Sequence, residues 1–151
     1  MTLRCEDIFS IFLSKITDYS FLEYSDDFAE AQMIAWLSST ISLPRLRAKF
    51  SSLSFDDGKT ALNFSLKQDI DTESDLSFVA DILARGMVIA WLEPQVKNVL
   101  LTKQMLGGKE EKFYAQANHI SELEKMLSTA KTDFNNILRD YGYLNNPYIK
   151  E

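Results

Sequence analysis

The fold is decided by two stretches, SDLSFVADILARGMVIAWLEPQVKNVLLTKQM at residues 74–105 and KEEKFYAQANHISELEKMLSTAKTDFNNILRDYGY at residues 109–143. Each has the length and the apolar spacing of a long helix. Gly107-Gly108 lies between them, and glycine readily adopts the left-handed conformation that ends a helix. We therefore predict a mainly α fold, a helical bundle built on a long antiparallel helical hairpin.

The second stretch has one sustained apolar face. With Phe113 at position a of a heptad, Gln116 is the residue that breaks the stripe of a and d positions. Such a stripe packs on a partner helix in the same chain or in another chain, and the short glycine connection favours the same chain. The a and d residues are Phe113, Gln116, Ile120, Leu123, Leu127, Ala130, Phe134, Ile137 and Tyr141.

The first stretch is apolar nearly all round, which predicts burial on several sides. Asp81, Arg85 and Glu93 interrupt it, so we do not expect it to span a bilayer. Pro94 removes a backbone donor and should kink or divide the helix near Glu93. Gly86 predicts the close approach of another element, since an interior glycine otherwise costs a helix about 1 kcal/mol relative to alanine.

The elements upstream are shorter. Residues 3–16 predict an amphipathic helix, and residues 17–24 predict a connector. Ser25 is a typical N-cap for a second helix, which should end before Pro44 because the residue before a proline avoids helical geometry. Ser74 has the same capping role at the start of the first long stretch.

The hydrophobic period changes to two between residues 45 and 69. Leu62, Phe64 and Leu66 alternate with polar residues, which is typical of a half-buried strand, and the turn signal at residues 56–58 would join it to a preceding strand. We predict a β-hairpin that projects from the helical body, or a long loop that becomes ordered on a partner. Because a two-stranded hairpin alone is marginally stable, its apolar face needs the helices, a neighbouring subunit or another protein.

A basic cluster precedes this segment and an acidic cluster follows it. Opposite charges so placed could pair between identical subunits arranged head to tail. The tail from about residue 143 to residue 151 contains Asn-Asn-Pro and is expected to be flexible. The predicted partner or subunit interface therefore comprises Arg45, Arg47, Lys49, Phe50, Leu53, Phe55, Leu62, Phe64, Leu66, Asp69, Asp71, Glu73 and Tyr148.

Length and composition indicate one soluble domain spanning residues 1–151. The net charge of -6 argues against tight non-specific binding to nucleic acid, which requires clustered lysine and arginine. One cysteine, Cys5, permits no internal disulfide and fits a reducing compartment. The first residues have no uninterrupted apolar run, so we expect neither a signal peptide nor a membrane span.

The sequence predicts neither a catalytic site nor a metal-binding site. The one histidine, His119, has neither a second histidine nor a nearby cysteine, which argues against a zinc site. Gly107-Gly108-Lys109 lacks the first glycine and the final Ser or Thr of a phosphate loop. The acids at residues 69–75 lack the register of a calcium loop. We therefore expect a protein without enzymatic activity or cofactor.

Three strings resemble those of head–tail connector proteins of tailed bacteriophages, also called adaptor, neck or head-completion proteins. They are ILARGMVIAWLEPQV at residues 82–96, KFYAQANHISELEKM at residues 112–126 and ILRDYGY at residues 137–143. The resemblance covers about residues 69–143 and also fits the upstream order of helix, hairpin or loop, then helix.

The resemblance implies a structural virion protein that is made in the host cytoplasm and then lies in the neck. Such proteins form a ring, usually twelve-fold, beneath the portal protein and offer a docking surface to the next neck or tail-completion protein. DNA passes through the ring without sequence-specific binding. By position, the contacts would come from the hairpin at about residues 50–66 and from the tail after Tyr143.

Two other functions remain open from the sequence. A small acidic helical protein that binds and regulates a single host partner has the same composition. An enzyme with a dispersed site on a helical scaffold is the third. Oligomeric state distinguishes the first of these from a connector, because the connector family assembles as a ring.

Overall fold

The computed structural model describes residues 1–16, 25–105 and 110–142, and the described side chains are those of residues 1–16, 25–98, 119 and 121–142. Within these residues the chain is mainly helical, with five helices and a small three-stranded sheet. The elements in order are β1 (Thr2–Arg4), α1 (Cys5–Lys15), α2 (Asp26–Ile41), α3 (Pro44–Arg47), β2 (Phe50–Phe55), β3 (Ala61–Leu66), α4 (Thr72–Met105) and α5 (Glu110–Asp140).

The N-terminal residues form a strand before they form a helix, which differs from the helix predicted from residue 3. β1 pairs antiparallel with β3, so the sheet has the order β1-β3-β2. The Met1 ammonium donates to the Phe64 carbonyl oxygen at 2.8 Å, and the Phe64 amide donates to the Met1 carbonyl oxygen at 2.8 Å. Leu3 is buried between exposed neighbours, and this alternation suits a strand.

The predicted pair of strands and the turn between them are confirmed. β2 and β3 pair antiparallel, with Leu53 opposite Phe64 and Phe55 opposite Leu62. The Asp56 carboxylate closes the turn by accepting hydrogen bonds from the Thr60 amide at 2.7 Å and the Thr60 hydroxyl at 2.6 Å.

The hairpin does not project from the helical body as predicted. Its apolar face lies in the same hydrophobic cluster as the helices, and the Phe64 side chain is only 1% exposed. Adding β1 and covering one face removes the marginal stability expected of a lone hairpin. The hairpin residues in the core are Phe50, Leu53, Leu62 and Phe64.

Helix starts were predicted correctly for α2 and incorrectly for α4. Ser25 caps α2, and its hydroxyl oxygen accepts from the Phe28 amide at 3.2 Å. At α4 the capping side chain is Asp71, which accepts from the Ser74 amide at 2.7 Å and from the Ser74 hydroxyl at 2.9 Å. These bonds hold the pKa of Asp71 below its ordinary value. Ser74 therefore lies inside the first turn rather than before it.

For the interior of α4, the prediction at Gly86 is confirmed, and of the two outcomes predicted at Pro94 the division of the helix is wrong. The predicted close approach at Gly86 is confirmed, because an added Cβ would lie 2.2 Å from Thr40 Cγ2 of α2. Pro94 does not divide the helix, which continues from Thr72 to Met105. No helix in the described part of the chain is both long and apolar enough to cross a membrane.

α4 contacts α1, α2 and α5, which agrees with its predicted burial on several sides. From α5, Leu123, Phe134 and Leu138 reach the core. Lys131 Nζ lies 3.2 Å from Glu93 Oε1 across the α4–α5 contact. The reversal predicted at Gly107-Gly108 lies outside the described residues, as do the connector at 17–24, the tail from 143 and the side chains of the first stripe positions of α5.

Candidate functional site: two surfaces on the helical frame

A surface with several charged side chains lies beside the end of α5. A cavity of about 270 Å³ is lined there by residues from α3, β3, α4 and the loops beside them. We call the rim of this cavity the Tyr141 surface; the residues that line it are Arg45, Ala48, Lys49, Leu66, Lys67, Gln68, Phe78 and Tyr141.

Tyr141 is held in place by a buried carboxylate and an aromatic ring. Its hydroxyl donates to Asp75 Oδ1, which also accepts from the Ile70 amide at 3.0 Å, and Asp75 is only 1% exposed. The Tyr141 and Phe78 rings are stacked, with centroids 3.8 Å apart and planes 4° apart. Burial, the bond to Asp75 and the nearby acids Asp71 and Asp69 raise the pKa of Tyr141 well above its ordinary value.

Lys49 fixes the C-terminal end of α5. Its ammonium donates to the Arg139 carbonyl oxygen at 3.4 Å and to the Tyr141 carbonyl oxygen at 3.2 Å, where a helix leaves carbonyl groups without internal partners. Burial lowers the pKa of Lys49. Gly142 follows with a φ of 75°, and an added Cβ would lie 3.0 Å from the Gln68 carbonyl oxygen. The Tyr141 surface therefore lies beside an end of α5 that is fixed by hydrogen bonds and close packing.

The structure brings the two predicted charge clusters together. Lys67 donates its amide to the Lys49 carbonyl oxygen at 3.0 Å, so both clusters lie at the same end of the sheet. Asp71 and Asp69 act electrostatically on Tyr141, which also borders Arg45 and Lys49. The basic and the acidic residues are therefore neighbouring patches beside one tyrosine.

The predicted interface residues divide into three groups by burial, apart from Tyr148. The exposed ones are Arg45, Arg47, Asp69, Asp71 and Glu73, and the half-buried ones are Lys49, Phe55 and Leu66. The buried ones are Phe50, Leu53, Leu62 and Phe64, which contact the chain's own core. Tyr148 lies outside the described residues. Arg47 also donates to the Ile41 carbonyl oxygen at 3.0 Å and the Leu53 carbonyl oxygen at 3.4 Å, within its own chain.

A second surface is a groove between α4 and α5, with the end of α1 at its border. Its volume is about 630 Å³, and its floor is largely apolar. Met126 projects there with 43% of its surface exposed, although large apolar side chains are usually covered. We call this the α4–α5 groove; it is lined by Lys15, Arg85, Val88, Leu92, Glu122, Lys125, Met126, Thr129, Ala130 and Asp133.

One wall of the groove is held by ion pairs. Asp81 lies 3.1 Å from Lys15 Nζ and 2.8 Å from Arg85 Nε. Burial raises the pKa of Asp81, but the hydrogen bonds from Arg85 and Lys15 outweigh burial, and the pKa lies below its ordinary value. The two cations are therefore fixed at the rim.

The α4–α5 groove was missed from the sequence, although a signal exists. Residues 122, 125, 126, 129, 130 and 133 recur at spacings of three and four and so share one face of α5. The heptad stripe accounts for the face toward the core and leaves Met126 off the stripe. An apolar residue flanked by charges on a second face was the available signal.

The next residues to consider are His119, Cys5 and the possible metal ligands. His119 is exposed. Cys5 is 3% exposed, and its burial raises the pKa of the thiol to about 11, so it stays protonated and unreactive. Among the described residues no group of three or more His, Cys, Asp or Glu side chains could hold a metal ion.

Comparisons with protein-family models, with curated proteins and with solved structures find no match to this chain.

Proposed function

We propose that this chain is a structural, non-catalytic head–tail connector of a tailed bacteriophage. It would form a ring beneath the portal protein, extend the DNA channel and dock the next neck or tail-completion protein. The three strings at residues 82–96, 112–126 and 137–143 support the proposal by their resemblance to that family. The chain would be made in the host cytoplasm and function in the virion neck.

The observation that carries the proposal is the Tyr141 surface, where Tyr141 is held against α4 by Asp75 and Phe78. Ring closure requires two different patches on each subunit that meet those of the next subunit. Exposed Arg45 and Lys67 line the same cavity as Tyr141, and exposed Asp71 is close enough to act on the tyrosine electrostatically. The basic side of one subunit would meet the acidic side of its neighbour, which favours correct pairing and a fast encounter.

The arrangement of α4 and α5 fits the long helical hairpin expected of this chain. Tyr141, just after the end of α5, bonds Asp75 in the first turn of α4, and Lys131 pairs with Glu93 farther along. These contacts fit a long antiparallel helical hairpin. The net charge of -6 suits a channel through which DNA must slide, because an acidic wall makes few phosphate contacts.

The test is assembly on the portal protein that the same genome encodes. The purified chain and the portal would be mixed and measured by light scattering and negative-stain electron microscopy. We expect a ring bound to the portal. Arg45→Glu should abolish the ring while leaving the folded monomer intact, because Arg45 is exposed.

Lys97→Glu, a charge reversal at an exposed position of α4 outside the Tyr141 surface, is the matched control and should assemble normally. A chain that shows no binding to the portal would contradict the connector function.

A second candidate is a small helical protein that binds one host partner. The α4–α5 groove supports it, because an amphipathic helix can lay its apolar face into such a groove. A one-to-one complex with a cellular protein, without rings on the portal, would support this candidate instead.

A further inference from the structure

We infer that the α4–α5 groove is a contact between two copies of this chain, related by a two-fold axis that passes beside Thr129. This inference does not rest on the proposed function. A two-fold contact pairs subunits and cannot by itself close a ring, so it is separate from the neighbour contact proposed above.

The charge order along α5 is self-complementary. Lys125, Thr129 and Asp133 follow one another at intervals of four residues, and all three are exposed on the face that lines the groove. When two copies of α5 lie antiparallel with Thr129 opposite Thr129, Lys125 of each copy faces Asp133 of the other. Neither residue forms an ion pair with another residue in the described part of the chain.

The apolar part of the groove supplies the driving force. Met126 lies beside the charged row with 43% of its surface exposed, next to a cavity of about 630 Å³ bordered by Val88 and Leu92. In the antiparallel pair, Met126 of each copy would enter the groove of the other. Methionine suits this role because its flexible side chain fills irregular gaps.

The opposite wall adds an excess positive charge. Lys15 and Arg85 share the single carboxylate of Asp81, so two cations balance one anion and one positive charge is left. Glu122, on the α5 side of the groove, is acidic and also without an ion-pair partner among the described residues. The wall from α1 and α4 therefore has a net positive charge, and the wall from α5, with Glu122, Asp133 and Lys125, has a net negative charge.

The contact is small, so the pair should be weak. The groove is lined by ten residues in each copy, whereas a standard stable interface involves about 20–30 residues a side. We therefore expect a reversible equilibrium between monomer and dimer in which the dimer grows with protein concentration.

The test uses sedimentation velocity on the full chain with charge reversals. Lys125→Asp makes the row wholly acidic, and Asp133→Lys makes it wholly basic. Each change creates two like-charge contacts per dimer and should weaken dimerisation by about tenfold or more. An equimolar mixture of the two variants should dimerise again, because each row then faces its opposite. The double variant Lys125→Asp/Asp133→Lys should also dimerise.

Glu124→Lys serves as the control, since Glu124 is exposed on α5 but does not line the groove. It should leave the dimer unchanged, and circular dichroism should show all variants folded. A wild-type chain that stays monomeric at every concentration overturns the inference. The helix of another protein would then be the alternative occupant of the groove. The inference is also overturned if the charge reversals do not weaken dimerisation, or if the two variants do not dimerise when mixed. None of these outcomes bears on binding to the portal.

Discussion

Gly86 shows how one residue controls the approach of two helices. A Cβ at this position would lie 2.2 Å from Thr40 Cγ2 and 2.9 Å from Thr40 Oγ1. Thr40 cannot easily rotate away, because its hydroxyl donates to the Trp36 carbonyl oxygen at 2.9 Å and the side chain is buried. The contact between α2 and α4 therefore depends on the missing side chain.

Gly86→Ala should destabilise the protein despite the better helix propensity of alanine. Propensity favours alanine by about 1 kcal/mol, whereas overpacking a closed contact costs roughly 1–3 kcal/mol. Urea denaturation would measure the free energy of unfolding. In a Thr40→Ser background the same change should cost less, because the clashing methyl group is gone. A Gly86→Ala variant more stable than the wild type would contradict the close approach.

Tyr141 links the end of α5 to the start of α4 through a polar contact in an apolar setting. Its hydroxyl donates to the buried Asp75 carboxylate, and its ring stacks on Phe78. Tyr141→Phe keeps the stack and removes one partner of a buried carboxylate, so we expect a loss of about 1–3 kcal/mol of stability near neutral pH.

The pH dependence of stability should identify the same contact. The pKa of Tyr141 is raised in the folded state from an ordinary value of 10.0. The folded tyrosine therefore keeps its proton where the unfolded one loses it, and its contribution to stability falls as pH rises above about 10. Urea denaturation as a function of pH should show a steeper alkaline fall for the wild type than for Tyr141→Phe. Equal slopes would mean that Tyr141 titrates normally.

At the scale of elements, the β-sheet belongs to the core. The alternation in β3 predicted which side chains share a face, and the structure shows that the chain's own core covers that face. β1 pairs with β3 although the two strands are about sixty residues apart, as in the contact of Met1 with Phe64 across 63 positions. A three-stranded sheet with one buried face is more stable than a projecting hairpin.

Phe64→Ala should therefore destabilise the monomer by about 3–5 kcal/mol, the cost of removing a buried aromatic side chain. Phe64 is 1% exposed and packs edge-on against Phe50 at 6.0 Å between ring centroids. Thermal and urea denaturation would measure the loss. Ser65→Ala, at the exposed neighbouring position, should change stability by less than about 0.5 kcal/mol. A Phe64→Ala variant with normal stability would mean that Phe64 contacts a partner and is not part of the core.

The start of α4 shows why caps are hard to predict from sequence. Asp71 and Ser74 are both good capping residues, and they lie three positions apart, which is the spacing of a capping side chain and the backbone amide that donates to it. Local pattern cannot choose between them when both fit. The helix begins at Thr72, where the Asp71 carboxylate can accept from Ser74.

At the scale of the whole molecule, most side chains that stabilise the fold differ from the exposed side chains of the two surfaces. The core includes residues from the sheet and all five helices, while exposed charged residues border Tyr141 and the α4–α5 groove. Surface charges contribute little to stability, so they are free to determine which partners approach. The proposed ring contact uses the Tyr141 surface and the proposed two-fold contact uses the α4–α5 groove, so variants of different residues test each contact.

The sequence by itself determined the helical class, the strand alternation of β3, the Ser25 cap and the need for a close approach at Gly86. These follow from local spacing and from backbone preferences, which depend on near neighbours. The tertiary structure alone decided that β1 joins the sheet, that the hairpin face is buried, that opposite charges meet around Tyr141 and that Met126 borders a groove. A pattern indicates which face is apolar, but what covers that face depends on contacts between residues far apart in the chain.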